Sequence, residues 1–136
     1  TGFDDSMMFR ELISVALDGA AGAGGRYLAG IFARNLFGAD FPWGTFSVNI
    51  IGCFFIGVAA SLVENREGAL WLFLVVGLLG GFTTFSAFGY DTIQLIQKSE
   101  LIAAALNVTL QIVLGLIAVW AGLALAGSSG LNLPGR

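Results

Sequence analysis

The sequence predicts an all-α integral membrane protein with four transmembrane helices, the third of them broken near the middle of the membrane. Composition is the first observation behind this fold class: 57% of the 136 residues are hydrophobic and only 11% are charged. A soluble domain has about 25% charged residues and needs polar side chains to cover its surface. The composition therefore argues against a soluble enzyme, a nucleic-acid-binding protein and a disordered segment.

The spacing of the charges is the second observation. No charged residue or histidine occurs in residues 41–63, 68–90 or 101–135, and a helix needs roughly 20 residues to cross the bilayer core. A fourth apolar stretch contains Asp18 and Arg26. Short connections leave no room for a soluble domain, so residues 1–136 form one transmembrane domain, and the segment from Gly127 onward is predicted to be frayed. The expected spans are residues 12–33, 44–64, 69–96 and 101–126.

The loops carry almost balanced positive charge. One side of the membrane would hold Arg10, Arg66 and Arg136, and the other Arg34 and Lys98, with Arg26 nearby. Because Lys and Arg in loops decide orientation, this balance permits insertion in both directions and an antiparallel homodimer. A single orientation set by one dominant loop is an equally good interpretation of the charges alone. The absence of histidine and the presence of a single cysteine, Cys53, leave almost no ligands for a transition-metal or redox site.

Polar residues occur inside the first two spans. Arg26 follows a glycine-rich run, and is either an interfacial anchor or a buried cation that attracts anions or ties down the fold. In the second span Thr45 and Asn49 lie four residues apart and face the same way. These two side chains either form hydrogen bonds between helices or line a pore with N–H and O–H donors, which would favour anions over cations.

The third span has the strongest local pattern, the run Gly80–Phe88. Two glycines followed by Thr83, Thr84 and a serine suit a broken helix whose freed carbonyls need other partners. Phe85 and Phe88 project from nearly one face. Such aromatic pairs usually pack in a core, but ring edges are electropositive and can also solvate a small anion.

The fourth span has a face of polar and small residues: Asn107, Gln111, Gly115, Ala118 and Gly122. This face either completes a pore wall or forms a close-packing surface between helices. Four short helices enclose little volume, so both interpretations favour a dimer.

Taken together, these motifs resemble the Fluc (CrcB) family of fluoride channels. The similarity rests on Arg26-Tyr27 after the glycine-rich run, on residues 44–52 and on residues 80–88, and it covers all four spans in order. The resemblance implies an antiparallel, dual-topology dimer in the plasma (inner) membrane. Such a dimer has two fluoride pores and passively exports fluoride that has accumulated through entry of HF.

The resemblance also assigns roles to residues of the fluoride pathway. Asn49 matches the pore-facing amide of the second span, with Thr45 on the same polar track. Phe85 and Phe88 match the phenylalanines whose ring edges line the pathway, and Arg26 matches an arginine of the first span.

The resemblance also implies a cation site, and the chain differs from the family at three positions. Gly80 and Thr83 match the positions whose backbone carbonyls, from both subunits, hold a structural Na⁺. Asn107 and Gln111 stand where family members often have tyrosine and serine on the fourth span. Asp18 stands where a glycine is common.

Two other classes of protein are consistent with four short spans. A small multidrug exporter needs a carboxylate in the middle of a span, and only Asp18 could serve, but it lies near the end of a span. A non-transporting assembly protein would explain the glycines but not the track of threonine and asparagine.

Overall fold

The computed structural model describes residues 4–127, and within that range the chain forms helices and no strands. The predicted all-α class is therefore confirmed. Most of the tail predicted to be frayed, residues 128–136, lies outside the described residues. The elements are α1 (Asp5–Phe37), α2 (Trp43–Leu62), α3 (Ala69–Trp71), a π-helix (Leu72–Leu79), α4 (Gly80–Phe82), α5 (Phe85–Gln97) and α6 (Leu101–Ala126).

Three helical segments are long and apolar enough to cross a membrane: Trp43–Leu62, Ala69–Gln97 and Leu101–Ala126. They begin and end within two residues of the expected second, third and fourth spans, which identifies a membrane protein with several spans. Helix α1 extends beyond the predicted span at both ends. Its crossing of the membrane stays a prediction.

Local sequence explains both ends of α1. The Asp4 carboxylate accepts a hydrogen bond from the Ser6 N–H at 3.1 Å and from the Ser6 hydroxyl at 2.6 Å, which is the usual way to satisfy the first N–H groups of a helix. The Ser6 hydroxyl, together with the Ser6 N–H, lowers the pKa of Asp4. At the other end, Gly38 adopts φ 87°, a conformation that glycine reaches without a steric cost.

The π-helix has no clear signal in the sequence, which predicted an ordinary helix there. It packs against α1, where Asp18 lies beside Gly77. Asp18 is half-buried, and its carboxylate accepts a hydrogen bond from the Ser14 hydroxyl, one turn earlier, at 3.0 Å. This contact explains how a carboxylate fits at a position deep within α1.

The most extensive helix pair is α2 with α6. The two backbones meet at Gly57 and Gly122, where a Cβ atom on either glycine would collide with backbone atoms of the other helix. Helix α6 also packs on α5, while α1 packs on the π-helix, α2 and α4. This arrangement places the polar face of α6 next to α2 and to the junction between α4 and α5.

The close approach at Gly122 gives a stability prediction. A Gly122→Ala substitution should destabilise the protein by about 1–3 kcal/mol, since overpacking forces the two backbones apart. Gly24→Ala is the matched control, because no heavy atom lies within 4 Å of the added Cβ there. Thermal unfolding in detergent should show a lower midpoint for Gly122→Ala alone; equal midpoints for the two variants would contradict the packing.

Candidate functional site

The third helical segment is interrupted at two threonines. Thr83 has φ −87° and ψ 159°, and Thr84 has φ −154° and ψ 119°, both extended. The two glycines of the motif remain helical. Thr84 is the N-cap of α5, and its hydroxyl accepts a hydrogen bond from the Ala87 N–H at 3.2 Å, a role for which threonine is well suited.

Asn49 of α2 fills the gap that this interruption leaves. Its Oδ1 accepts a hydrogen bond from the Thr84 N–H at 2.8 Å, and its Nδ2 donates to the Thr84 carbonyl at 3.0 Å. The side-chain amide therefore pairs with the backbone of Thr84 as one strand pairs with another. Without it, two partly buried backbone groups would lose their partners, which is costly in an apolar environment.

A chain of hydrogen bonds, here called the amide chain, continues from Asn49 into α6. Asn49 Nδ2 donates to Gln111 Oε1 at 2.8 Å, and Gln111 Nε2 donates to Asn107 Oδ1 at 2.8 Å. Asn107 Nδ2 then donates to the Thr92 hydroxyl at 2.9 Å, which in turn donates to the Phe88 carbonyl at 2.8 Å. Asn107 is fully buried and Gln111 is 9% exposed. Each of these four side chains thus donates a hydrogen bond to the next group, so all the bonds of the amide chain run in the same direction.

The interruption also frees two backbone carbonyls. In a continuous helix the N–H groups of Thr84 and Ala87 would bind the carbonyls of Gly80 and Thr83. Here these N–H groups instead bind Asn49 and the Thr84 hydroxyl. The carbonyl oxygens of Gly80 and Thr83 therefore lack their helical donors.

Arg26 occupies the other side of α4. Its Nε–H donates to the Gly81 carbonyl at 3.1 Å, so the guanidinium binds one of the last carbonyls of a helical segment, where a cation is favourable. The described contacts place Arg26 at the interruption and at the edge of a cavity.

That cavity, here called the loop-side cavity, has a volume of about 300 Å³. Thr45 lies in its wall, and the Thr45 hydroxyl donates to Asp91 Oδ2 at 2.8 Å. Charged side chains of both signs surround it, with the cations in excess: Arg26, Arg34, Lys98, Asp40 and Asp91. Thr84 also lies in its wall, so the cavity reaches the interruption.

A second cavity, here called the break cavity, is also lined by Thr84 and is also about 300 Å³. Asn49 and Phe85 line it, and most of its remaining wall is apolar. Phe85 is 83% exposed, and its ring centroid lies 5.5 Å from that of Phe88. A large aromatic side chain so open in the described chain requires cover from lipid or protein.

The structure brings most of the predicted pathway residues together. The amide chain contains Asn49, Gln111 and Asn107 and ends on the Phe88 carbonyl, and Phe85 stands beside Asn49 in the break cavity. Thr45 and Arg26 belong instead to the loop-side cavity.

Sequence reasoning missed Thr92 and Asp91 as members of the site, and it named Thr84 in the predicted break without giving its side chain or backbone a role. Asp91 carried a usable signal, because no other charged residue occurs in residues 68–97 and it follows Phe88 by three positions. Thr92 carried none, since threonine is common on the faces of membrane helices.

Comparison with known proteins gives a consistent result. Residues 13–123 match the family model described as "CrcB-like protein, Camphor Resistance (CrcB)". A protein of Rhizobium etli is 46% identical over 118 residues, which is 85% of this chain and 94% of the relative. A protein of Allorhizobium ampelinum is 48% identical with the same coverage, and one of Geobacter sulfurreducens is 44% identical over 82% of this chain and 93% of the relative. All three relatives are named "Fluoride-specific ion channel FluC".

Proposed function

The chain belongs to the CrcB family of ion channels, and we propose that it is a fluoride-selective passive channel that exports cytoplasmic fluoride across the plasma membrane and so relieves its toxicity. The family is one of channels and not of enzymes. One observation supports this proposal most strongly: a largely buried amide chain reaches a helix interruption beside the exposed ring of Phe85 and the half-buried ring of Phe88. Its members are neutral, so they offer hydrogen-bond donors without a carboxylate that would repel an anion.

The chemistry of the two cavities suits a small anion. In the loop-side cavity, cations in excess attract it from water. At the break cavity, the electropositive edges of Phe85 and its neighbour Phe88 would replace its water molecules, together with the Asn49 amide once it gives up one of its two hydrogen bonds. Ring edges are weak donors, so the ion binds and leaves again, which a conducting pore requires.

A second, inverted copy of the chain would complete the pathway. Phe85 and Gly80 are both exposed in one subunit, although the resemblance places both at functional positions. In a dimer with two-fold symmetry the same surface of each subunit covers that of the other, which gives two equivalent pores. The nearly balanced loop charges support insertion in both orientations.

A structural Na⁺ at the centre of this dimer is part of the proposal. The Gly80 and Thr83 carbonyls lack their helical donors, and hard cations prefer oxygen ligands of this kind. Each of the two subunits would contribute its Gly80 carbonyl and its Thr83 carbonyl. The bound ion would supply positive charge that offsets the carbonyl dipoles and holds the two interruptions together.

Sodium should therefore stabilise the protein. At a sodium concentration about 100 times the dissociation constant, binding to the native dimer alone adds about 2.7 kcal/mol. We expect the midpoint of thermal unfolding to rise on titration with NaCl but not with N-methyl-D-glucamine chloride at equal ionic strength. Identical midpoints in the two salts would count against the sodium site.

A growth assay tests the proposed role in the cell. Bacteria that lack their own fluoride exporter should grow in millimolar fluoride when they express this chain. Passive efflux lowers the cytoplasmic concentration of the fluoride that has entered as HF. Cells with an empty vector supply the control, and medium with equal chloride tests general toxicity. Expression in the membrane without any gain in fluoride resistance would contradict export.

A further inference from the structure

A groove with a volume of about 530 Å³, here called the α2–π groove, runs between α2 and the π-helix. Ala21 of α1 lies in its wall, and no polar side chain lines it. Four of its large apolar side chains are 45–65% exposed: Ile51, Phe55, Leu62 and Leu70. Left empty, such a groove would deprive its walls of van der Waals contacts, so it requires an apolar occupant.

The α2–π groove and the break cavity lie on opposite faces of α2. The groove residues of α2 repeat at helical spacing and so share one face: Ile51, Phe55, Val58 and Leu62. Asn49 and Cys53 line the break cavity from the opposite face. A second copy of the chain seated at the break cavity, as proposed above, would therefore leave the α2–π groove open to lipid.

The dimensions of the groove fit one acyl chain. Helix α2 rises about 17 Å between Ile51 and Leu62, and one leaflet contributes about 15 Å of hydrocarbon. A helix of that length, with its side chains, has a diameter of about 10 Å and a volume of roughly 1,300 Å³. This volume is more than twice the 530 Å³ of the groove, so a helix of another protein does not fit inside.

Arg66 lies at the end of the groove that faces the membrane surface, in the loop between α2 and α3. Its Nη2 donates to the Ala60 carbonyl at 3.3 Å, and its guanidinium carbon lies 4.7 Å from the centre of the Trp71 ring. Ala60 is in the last turn of α2 and Trp71 follows Leu70, so Arg66 joins the two walls of the groove. A guanidinium has five N–H donors, and the remaining ones suit a phosphate.

The charges of this loop indicate the kind of headgroup. Glu64 and Glu67 flank Arg66, and all three side chains are exposed. An anionic headgroup would meet an excess of negative charge, whereas the ammonium of a zwitterionic headgroup is attracted to the carboxylates.

We propose that the α2–π groove binds one zwitterionic phospholipid per chain, with an acyl chain between the helices and the phosphate on Arg66. The headgroup ammonium lies beside Glu64 and Glu67. In an antiparallel dimer the two sites would take one lipid from each leaflet. This binding site does not depend on fluoride transport.

Native mass spectrometry of the delipidated protein, titrated with phosphatidylethanolamine, tests the headgroup site. We expect saturation at one tightly bound lipid per chain and about tenfold weaker binding to Arg66→Gln, because a hydrogen bond between charged groups is lost. Arg10→Gln is the matched control, since the exposed Arg10 does not line the groove. Equal binding to the wild type and Arg66→Gln, or tighter binding of phosphatidylglycerol than of phosphatidylethanolamine, would overturn the proposal.

A second variant tests the acyl-chain site and leaves the loop unchanged. Ala21→Phe places a ring in the groove and should weaken phosphatidylethanolamine binding about tenfold or more. Ala20→Phe makes the same change at an exposed neighbour that does not line the groove, and should bind as the wild type does. Equal binding to these two variants would contradict an acyl chain in the groove.

Photo-crosslinking of the wild-type protein decides the occupant even if a variant fails to fold. Phosphatidylethanolamine with a diazirine in its acyl chain should label peptides that contain Phe55 and Leu70, and unlabelled lipid should compete. Label on the exposed face of α6 with none in the groove would show that a second copy of the chain covers the groove, and would overturn the proposal.

Discussion

Replacing Asn49 with aspartate is expected to reduce fluoride efflux about 100-fold or more, because a hydrogen-bond donor to the ion, worth about 1–3 kcal/mol, is replaced by an anionic acceptor. The aspartate can still accept the Thr84 N–H. It has no hydrogen for the Thr84 carbonyl or for Gln111 Oε1, which lie 3.0 and 2.8 Å from the present Nδ2. A carboxylate beside the break cavity would also repel an approaching anion.

The control for this substitution is Asn35→Asp, the same chemical change at an exposed position near the end of α1. Both variants should be compared with the wild type for expression, size on gel filtration and fluoride efflux from liposomes. Efflux from a correctly assembled Asn49→Asp variant within twofold of the wild-type rate would show that neither the amide chain nor the Asn49 donors serve conduction.

The second large effect is expected at Phe85. Phe85→Ile keeps an apolar side chain of similar bulk but removes the electropositive ring edge, and an aromatic edge contact is worth about 0.5–1.5 kcal/mol. We expect fluoride efflux to fall roughly tenfold, which corresponds to the upper end of that range of energies. Phe85→Tyr retains the ring edges and should have a milder effect.

Phe73→Ile is a suitable control, because Phe73 is an exposed phenylalanine of the π-helix outside the lining of both cavities. Since the Phe85 side chain is 83% exposed, its replacement should leave the fold of the chain intact. Equal efflux from Phe85→Ile and Phe85→Tyr would mean that ring edges do not solvate the ion.

The sequence predicted the helices well where apolar runs are bounded by charges. Helix α6 occupies residues 101–126 as expected, and its buried face carries the predicted Asn107 and Gln111. A long apolar stretch in a membrane protein has few alternatives to a helix, so the length of the stretch alone predicts a helix. The polar residues within them were identifiable because each is costly in lipid without a partner.

The position of the helix interruption was harder to predict from the sequence. The glycines Gly80 and Gly81 were natural candidates, yet glycine costs a helix only about 1 kcal/mol, and both remain helical. The extended residues are Thr83 and Thr84, where the Asn49 amide takes over the backbone N–H of Thr84. The run Gly80–Phe88 predicted a break in this region, but the competition for the Thr84 N–H comes from a residue 35 positions away, so the local sequence did not show which of its residues leave the helix.

The hydrogen-bond partners of the Asn49 amide could not be predicted from the sequence either. A polar residue at a helical position can face a pore or another helix, and the spacing of Thr45 and Asn49 fits both. Only the structure shows that Asn49 binds Thr84 and Gln111, while Thr45 binds Asp91. The direction of a hydrogen-bond chain depends on which groups meet in space, which a single sequence does not encode locally.

Ion efflux from liposomes tests the central claim most directly. Liposomes containing the purified protein are loaded with potassium fluoride or potassium chloride, with equal pH and sodium on both sides, and valinomycin allows K⁺ to balance the charge. A passive fluoride channel should release fluoride rapidly and chloride only at the rate of protein-free liposomes, because the narrow site and its compact donors fit the smaller ion. Chloride efflux as fast as that of fluoride, or fluoride efflux that follows an imposed proton gradient, would contradict the channel.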